Sequence, residues 1–173
     1  DGYRAMKQAI EAGDIGTPLV VHCVHRNASS PLAGFTADMA ITDSAVHEID
    51  IVRWLLNDEI AEATVLTPRR SRQAPEGLQD PHIVLLRTRE GAHIDIEVYV
   101  NCAYGYDIRC EVVGETGTVE LADTSAVTVR RAGLCAGRVP PDWIERFARA
   151  YDAEIQQGVD SGTPGEAPGP SSW

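Results

Sequence analysis

Basic residues are scarce in this chain. Lys and Arg number 15 against 26 Asp and Glu, a formal charge of −11. Such a surface repels phosphate backbones and argues against nucleic acid as a partner. The one basic cluster, Arg69, Arg70 and Arg72, is short and lies in a polar stretch. Long apolar runs are also missing. None approaches the roughly 20 residues that cross a bilayer, and no segment reads as a secretory signal. The four cysteines, Cys23, Cys102, Cys110 and Cys135, are widely spread and form no C-x-x-C pair. That is the pattern of reduced thiols in a cytoplasmic protein, not of a disulfide framework or a zinc site.

Several chemical signatures are absent as well. No G-x-G-x-x-G opens a strand–helix unit, and there is no P-loop and no G-x-S-x-G nucleophile elbow. Gly114-Glu115-Thr116-Gly117 joins two strand-like runs, so it reads as a hairpin and not a phosphate cradle. His22 and His25 resemble a metal pair, but three residues apart on a strand they point to opposite faces. No metal site is expected. His82 and His93 are isolated and default to structural or surface roles.

What remains is a chain of 173 residues, 43% hydrophobic and 24% charged, enough for one well-buried domain. Residues 3–12 read as a short helix stopped by Gly13, and Pro18 to Arg26 as a strand. Residues 27–40 read as a loop. Strand character returns over Ala61–Thr67, His82–Arg89, Ala92–Asn101, Tyr106–Val113, Thr118–Leu121 and Ala126–Arg131. In the third of these, Ile94, Ile96, Val98 and Val100 alternate with His93, Asp95, Glu97 and Tyr99, giving one apolar and one polar face. Pro140-Pro141-Asp142 opens a last helix with Ile144, Phe147, Tyr151 and Ile155 at helical spacing. The order of elements predicts an α+β fold, a mainly antiparallel open sheet with helices packed on one face. Residues 1–157 form the domain, and the Gly-, Pro- and Ser-rich residues 158–173 a loose or truncated tail. A helical opening at Asp1 is expected of a segment from a longer polypeptide.

The stretch Asp43 to Leu56 (DSAVHEIDIVRWLL) reads as one amphipathic helix, with Thr42 or Asp43 at its N-cap. Ala45, Ile49, Val52 and Leu56 mark the side expected to face a core. Asp43 and His47, four residues apart, share the other face within ~5–6 Å at Cβ. A carboxylate beside an imidazole fixes its tautomer, and the imidazole exchanges a proton near neutral pH. The same spacing also fits an ordinary surface contact.

The stretches VVHCVHRN, TADMAITDSAVHEIDIVRWLL, VYVNCAYGYDIRCEVVGETGTVEL and RFARAYDAEIQ together resemble the Gfo/Idh/MocA oxidoreductase family, nearest its myo-inositol 2-dehydrogenase branch. The resemblance implies the α+β C-terminal domain of such an enzyme, without the N-terminal Rossmann domain that holds NAD. NADP stays open, and no cofactor is expected on this segment alone. By position, the resemblance makes His47 the acid/base and Asp43 its orienting partner. It places Asn27, Ser44 and Tyr106 against substrate hydroxyls, with Tyr104 a neighbour open to confusion with Tyr106. The implied reaction oxidises a secondary alcohol of a cyclitol or sugar, most directly myo-inositol to 2-keto-myo-inositol. The isolated segment is expected to be inactive. The polar sheet face is expected to build a homodimer or homotetramer. The alternative is a non-catalytic oligomerisation module that uses that face. A stand-alone hydrolase or isomerase lacks a nucleophile and an oxyanion element.

Overall fold

The computed structural model describes residues 2–30, 34–121, 128–131 and 134–137. Helix α1 (Gly2–Ala12) leads through a Gly13–Gly16 turn to strand β1 (Pro18–Arg26). A one-turn helix α2 (Ala37–Met39), a π-helical segment (Ala40–Ala45) and helix α3 (Val46–Leu56) follow without a break. Then come β2 (Ile60–Leu66), β3 (His82–Thr88), β4 (His93–Tyr99), β5 (Asp107–Gly114) and β6 (Thr118–Glu120). A separate two-stranded sheet pairs β7 (Thr128–Arg131) with β8 (Leu134–Gly137).

The main sheet has six strands in the order β2-β3-β4-β1-β5-β6. Strand β1 lies parallel to β4, and the remaining neighbours are antiparallel. The fold is therefore the expected α+β arrangement, with one parallel pair at its centre. That pair arises because the chain leaves β1 through α2 and α3 and returns to it only after β2 and β3. A crossover of this length is what parallel neighbours require.

Alternation in the strands divides the sheet into two unlike faces. Val21, Cys23, Ile94, Ile96, Val98, Val84, Leu86, Cys110 and Val112 point to one side and are buried there with Met6 of α1 and Val52 and Leu55 of α3. Each such side chain contributes about 1.5–3 kcal/mol of transfer free energy. The opposite face carries His22, Arg26, Asp95, Glu97 and Tyr99. Lys7 ties the two helices together. Its ammonium donates to the carbonyls of Trp54 (2.8 Å) and Leu55 (3.2 Å) and lies 5.7 Å from the Trp54 ring. These carbonyls belong to the last turn of α3, where they lack helical partners. Asn57 ends α3 in the left-handed region, φ +51°.

The Gly114–Gly117 segment is the hairpin expected, closed by the Gly114 N–H on the Gly117 carbonyl at 2.9 Å. A Cβ at Gly114 would lie 2.2 Å from the Ile15 carbonyl oxygen, so the turn packs directly on the α1–β1 connection. Only glycine fits there.

Three expectations change. First, the helical segment starts at Ala37, not at Thr42 or Asp43. The cap is Thr36, whose hydroxyl accepts from the Met39 N–H. Thr42 and Asp43 lie inside the π-helical segment instead, and the loop after β1 is shorter than residues 27–40. Second, the buried stripe of this helix runs through Ala45, Glu48, Val52 and Leu55, whereas Ile49 and Leu56 are only partly buried. Third, β8 has no counterpart among the expected strands; of the expected strand Ala126–Arg131, residues 126 and 127 lie outside the described residues. The expected helix after Pro140 and the tail 158–173 lie outside the described residues, as does the Cys135 side chain. Cys23, Cys102 and Cys110 are free thiols, with the Sγ atoms of Cys23 and Cys110 3.8 Å apart across the β1–β5 ladder.

Candidate active site

The end of β1 meets the first turn of α3 around a buried imidazole. The inward alternation Val21, Cys23, His25 sends His25 to the helix side of the sheet, where it is 4% exposed. Glu48, also 4% exposed, lies opposite on α3. Both Glu48 oxygens stand 2.9 Å from His25 Nδ1. A neutral His25 then holds its proton on Nδ1 and leaves Nε2 as an acceptor.

Two of the expected site residues rest on this imidazole. The His47 ring stacks on it nearly parallel, 13° between planes and 6.3 Å between centroids. Tyr106, 8% exposed and just before β5, meets it edge-on at 5.8 Å and 85°. His25, Glu48 and Tyr106 are all buried here. Above them the His47 side is exposed. The geometry gives an accessible imidazole whose ring plane is set by a second, immobilised one.

The other three candidates are placed differently. Asp43 does not bond His47. Its carboxylate accepts the Thr42 hydroxyl at 2.9 Å. The wide π-helical turn replaces the α-helical spacing on which a direct Asp43–His47 contact was expected. Asp43 thus shares the exposed side of the segment with His47 without orienting its ring here. Ser44 is buried within the same π-helical turn. Asn27 closes β1 through its backbone. Its N–H donates to the Tyr99 carbonyl (3.0 Å) and its carbonyl accepts from Cys102 (2.9 Å). Its half-buried side chain makes no hydrogen bond among the described residues.

The two neighbouring tyrosines separate cleanly. The Tyr104 hydroxyl donates to Asp107 (2.5 Å) and accepts from Arg26 (2.9 Å), while Arg109 holds the same carboxylate at 2.7 Å. Burial pushes the Asp107 carboxyl up. The hydrogen bonds from Arg109 and Tyr104 and the charges of Arg109 and Arg26 outweigh it and leave the carboxyl below its ordinary value. Tyr104 is committed to this ionic cluster, and Tyr106 is the one that faces His25.

Sequence reasoning missed His25 and Glu48. As the strand spacing implied, His22 lies on the opposite face from His25, 2.5 Å from Asp95. The signal passed over is an inward polar residue in a row of buried apolar ones, which requires a buried partner. Among the described residues no group of three or more His, Cys, Asp or Glu side chains is arranged to hold a metal ion.

Residues 3–120 match the model of the GFO/IDH/MocA C-terminal domain. The chain belongs to this family. Inositol 2-dehydrogenase 3 of Saccharopolyspora erythraea is 55% identical over 172 residues, covering 99% of this chain and 51% of the relative. Inositol 2-dehydrogenase of Pseudomonas fluorescens is 50% identical over 175 residues, again with 51% of its length covered. Among solved structures, the myo-inositol dehydrogenase of Lactobacillus casei in complex with NAD(H) and myo-inositol superposes with a TM-score of 0.86 at 36% identity, over 99% of this chain and 52% of that one. The Gfo/Idh/MocA chain described here thus spans about half the length of the relatives it matches.

Proposed function

We propose that this chain is the substrate-binding and acid/base half of an NAD-dependent inositol 2-dehydrogenase. The full-length enzyme would oxidise the secondary alcohol of myo-inositol to 2-keto-myo-inositol. The observation that carries the reading is the exposed His47 imidazole resting on the buried His25–Glu48 pair with Tyr106 at its edge. The likeness to enzymes named for inositol oxidation supports it.

Oxidation of a secondary alcohol removes a proton from oxygen and a hydride from carbon. We read His47 as the group that takes the proton: it is exposed, and an imidazole acts as a general acid or base. Asp43 lies on the same exposed side and hydrogen-bonds the reacting polyol, giving up its Thr42 contact to do so. Asn27, Ser44 and Tyr106 satisfy further ring hydroxyls, and each hydroxyl left unpaired in a closed site costs about 1–3 kcal/mol. A ring lacking one hydroxyl is rejected on the same account. NAD supplies the hydride acceptor when bound. The Gly114–Gly117 turn packs on Ile15 and offers no cradle for its phosphates. We therefore assign the nucleotide mainly to residues outside this chain, and the isolated 173 residues should turn over no inositol.

The test is turnover of a cyclitol and sugar panel with NAD by the full-length enzyme and by its His47→Ala variant. Loss of turnover by about 10²–10⁴-fold in a folded variant supports the acid/base role. Undiminished turnover removes it. Turnover of another sugar keeps the oxidoreductase and discards inositol.

The open face of the sheet favours a second role alongside the first, assembly into a homodimer or homotetramer. Leu66 (47% exposed) and Leu85 (38%) share this face with Ile83 and with the charged rows of β4 and β1. Tyr99→Glu would place charge on it, and a smaller assembly in sedimentation, with His47→Ala unaffected, separates assembly from catalysis.

A further inference from the structure

Beneath the loop that follows β1 lies a buried polar relay with no part in the His25–Glu48 pair. Asp80, 0% exposed, sits just before β3. Its Oδ1 accepts the Val100 N–H at 3.1 Å, and its Oδ2 accepts an N–H of the Asn101 amide at 2.9 Å. Asn101, 6% exposed, turns its Oδ1 the other way and accepts the Ser30 N–H at 3.0 Å. The same short stretch grips the loop twice more. The Cys102 N–H donates to the Asn27 carbonyl at 2.9 Å, and the Ala103 N–H to the Ala28 carbonyl at 3.1 Å. Behind it, the Ser71 N–H donates to the Asp80 carbonyl (2.7 Å), and the Ser71 hydroxyl pairs with that of Tyr99 (2.7 Å).

A carboxylate with no exposure is costly unless its acceptors are filled. An apolar residue would fill the space, but it would not do what a carboxylate does here. An amide has a donor end and an acceptor end of nearly identical shape. Burial pushes the Asp80 carboxyl up, yet both of its oxygens accept, so Asn101 presents its NH2 group inward and its oxygen outward to Ser30. Two acceptors at Asp80 thereby fix the polarity of the relay.

We propose that Asp80 and Asn101 are positioning residues for the polyol, holding residues 27–30 so that the Asn27 side chain meets the substrate. The inference rests on the reading of Asn27 as a contact to a ring hydroxyl. It assigns a functional reason to two residues that touch neither substrate nor cofactor.

The chemistry of the relay supplies its own test in the full-length enzyme. Asp80→Asn puts an NH2 group where only acceptors served. One donor then faces another whichever way the amides turn, at Val100, between the two amides or at Ser30, and the Ser30 tether is lost in the last of these three arrangements. The double exchange Asp80→Asn with Asn101→Asp restores all three bonds. The oxygen of the introduced amide accepts from Val100, its NH2 donates to the introduced carboxylate, and that carboxylate accepts from Ser30. Asp80→Asn is expected to raise the KM for myo-inositol about tenfold, leave the KM for NAD unchanged and speed hydrogen exchange at the Ser30 amide. The double exchange returns all three readouts to within about twofold. An unchanged inositol KM in folded Asp80→Asn overturns the proposal, as does a folded double exchange that leaves the KM raised. If the Asp80 variants do not fold, Ser30→Pro removes the last donor of the relay from outside the core. It must raise the same KM, and an unchanged value overturns the proposal. Asn27→Ala separates the two levels. A normal inositol KM in that variant refutes the Asn27 contact, and with it the positioning role. A raised KM there beside a normal one in Asp80→Asn refutes the relay alone.

Discussion

Two histidine–carboxylate pairs lie three residues apart on β1. His25 faces Glu48 on the helix side, and the side chains of both are about 95% out of contact with solvent. His22 faces Asp95 on the open side, with 49% and 42% of the two side chains exposed. The residue types are nearly the same and so are the contacts, yet their energetic standing is opposite. In the exposed pair, water replaces either partner and salt screens the charges. In the buried pair no solvent can substitute, so losing one member strands the other. This difference is what lets the inner face hold a ring at a fixed angle for His47 and Tyr106 to rest on. The outer face has no such rigidity and is free to meet another surface.

The strongest way to break this comparison is to delete each carboxylate in turn. Glu48→Ala leaves His25 Nδ1 without an acceptor and opens a cavity beside Val52. It is expected to lower stability by about 3 kcal/mol in urea denaturation. Turnover should fall as well, because the His25 ring loses its anchor. A loss no larger than that of Asp95→Ala would show that burial does not distinguish the pairs. Glu48→Gln sharpens the point. It keeps an acceptor for the Nδ1 proton and should recover most of the loss if His25 is neutral. If Gln does no better than Ala, the pair is ionic.

The division of the sheet into these two faces could be read from the sequence, because β4 alternates without interruption from His93 to Val100. The bounds of β1 could be read for the same reason. The register that brings His25 to Glu48 could not. It depends on β1 lying between β4 and β5, neighbours more than 60 residues away in the chain. Two helical stripes fit the sequence of α3. The one ending in Ile49 and Leu56 is wholly apolar, and so it looked like the core stripe. The stripe that is buried contains Glu48, and a carboxylate belongs there only because of His25. Of the five candidate site residues, His47 and Tyr106 are brought to one imidazole. That Asp43 bonds Thr42 and not His47 could not be read, because a π-helical turn has no composition of its own, and Ala-Ile-Thr-Asp-Ser-Ala reads as ordinary helix. Asp80 and Asn101 were invisible for a related reason: a turn residue before a proline and an asparagine after a strand are both expected to be solvated.

A third histidine extends the comparison with a smaller effect. His82 is on the inner face of β3, 4% exposed like His25, but its Nδ1 has no hydrogen-bond partner among the described residues. Burial holds its pKa below the ordinary 6.5, with the Asp80 charge pulling weakly the other way. The unfolded chain therefore gains a proton as pH falls through about 6.5, and the folded chain does so only at lower pH. Stability contributed by a neutral His82 is complete above that value and is lost as pH falls below it. Replacing His82 with Leu removes the group that titrates. Urea midpoints measured from about pH 7 down to about pH 5 should decline less steeply in the variant. Parallel slopes would mean that His82 takes up its proton equally well folded and unfolded, contrary to its burial.

The smallest effect belongs to the outer pair. Asp95→Ala removes a carboxylate that water already reaches, from a face where Arg26 and Glu97 form a second pair beside it, with Nε–Oε1 at 2.6 Å. Its cost in the separated subunit should stay within about 0.5 kcal/mol and shrink as salt is raised. The same substitution in an assembled enzyme discriminates more. If the open face is covered by a second copy, His22 and Asp95 lose their water there, and the pair takes on the character of the buried one. The loss should then grow with protein concentration and appear as weaker assembly. A loss that is equally small in both conditions would leave this face in solvent and deny it a part in the interface.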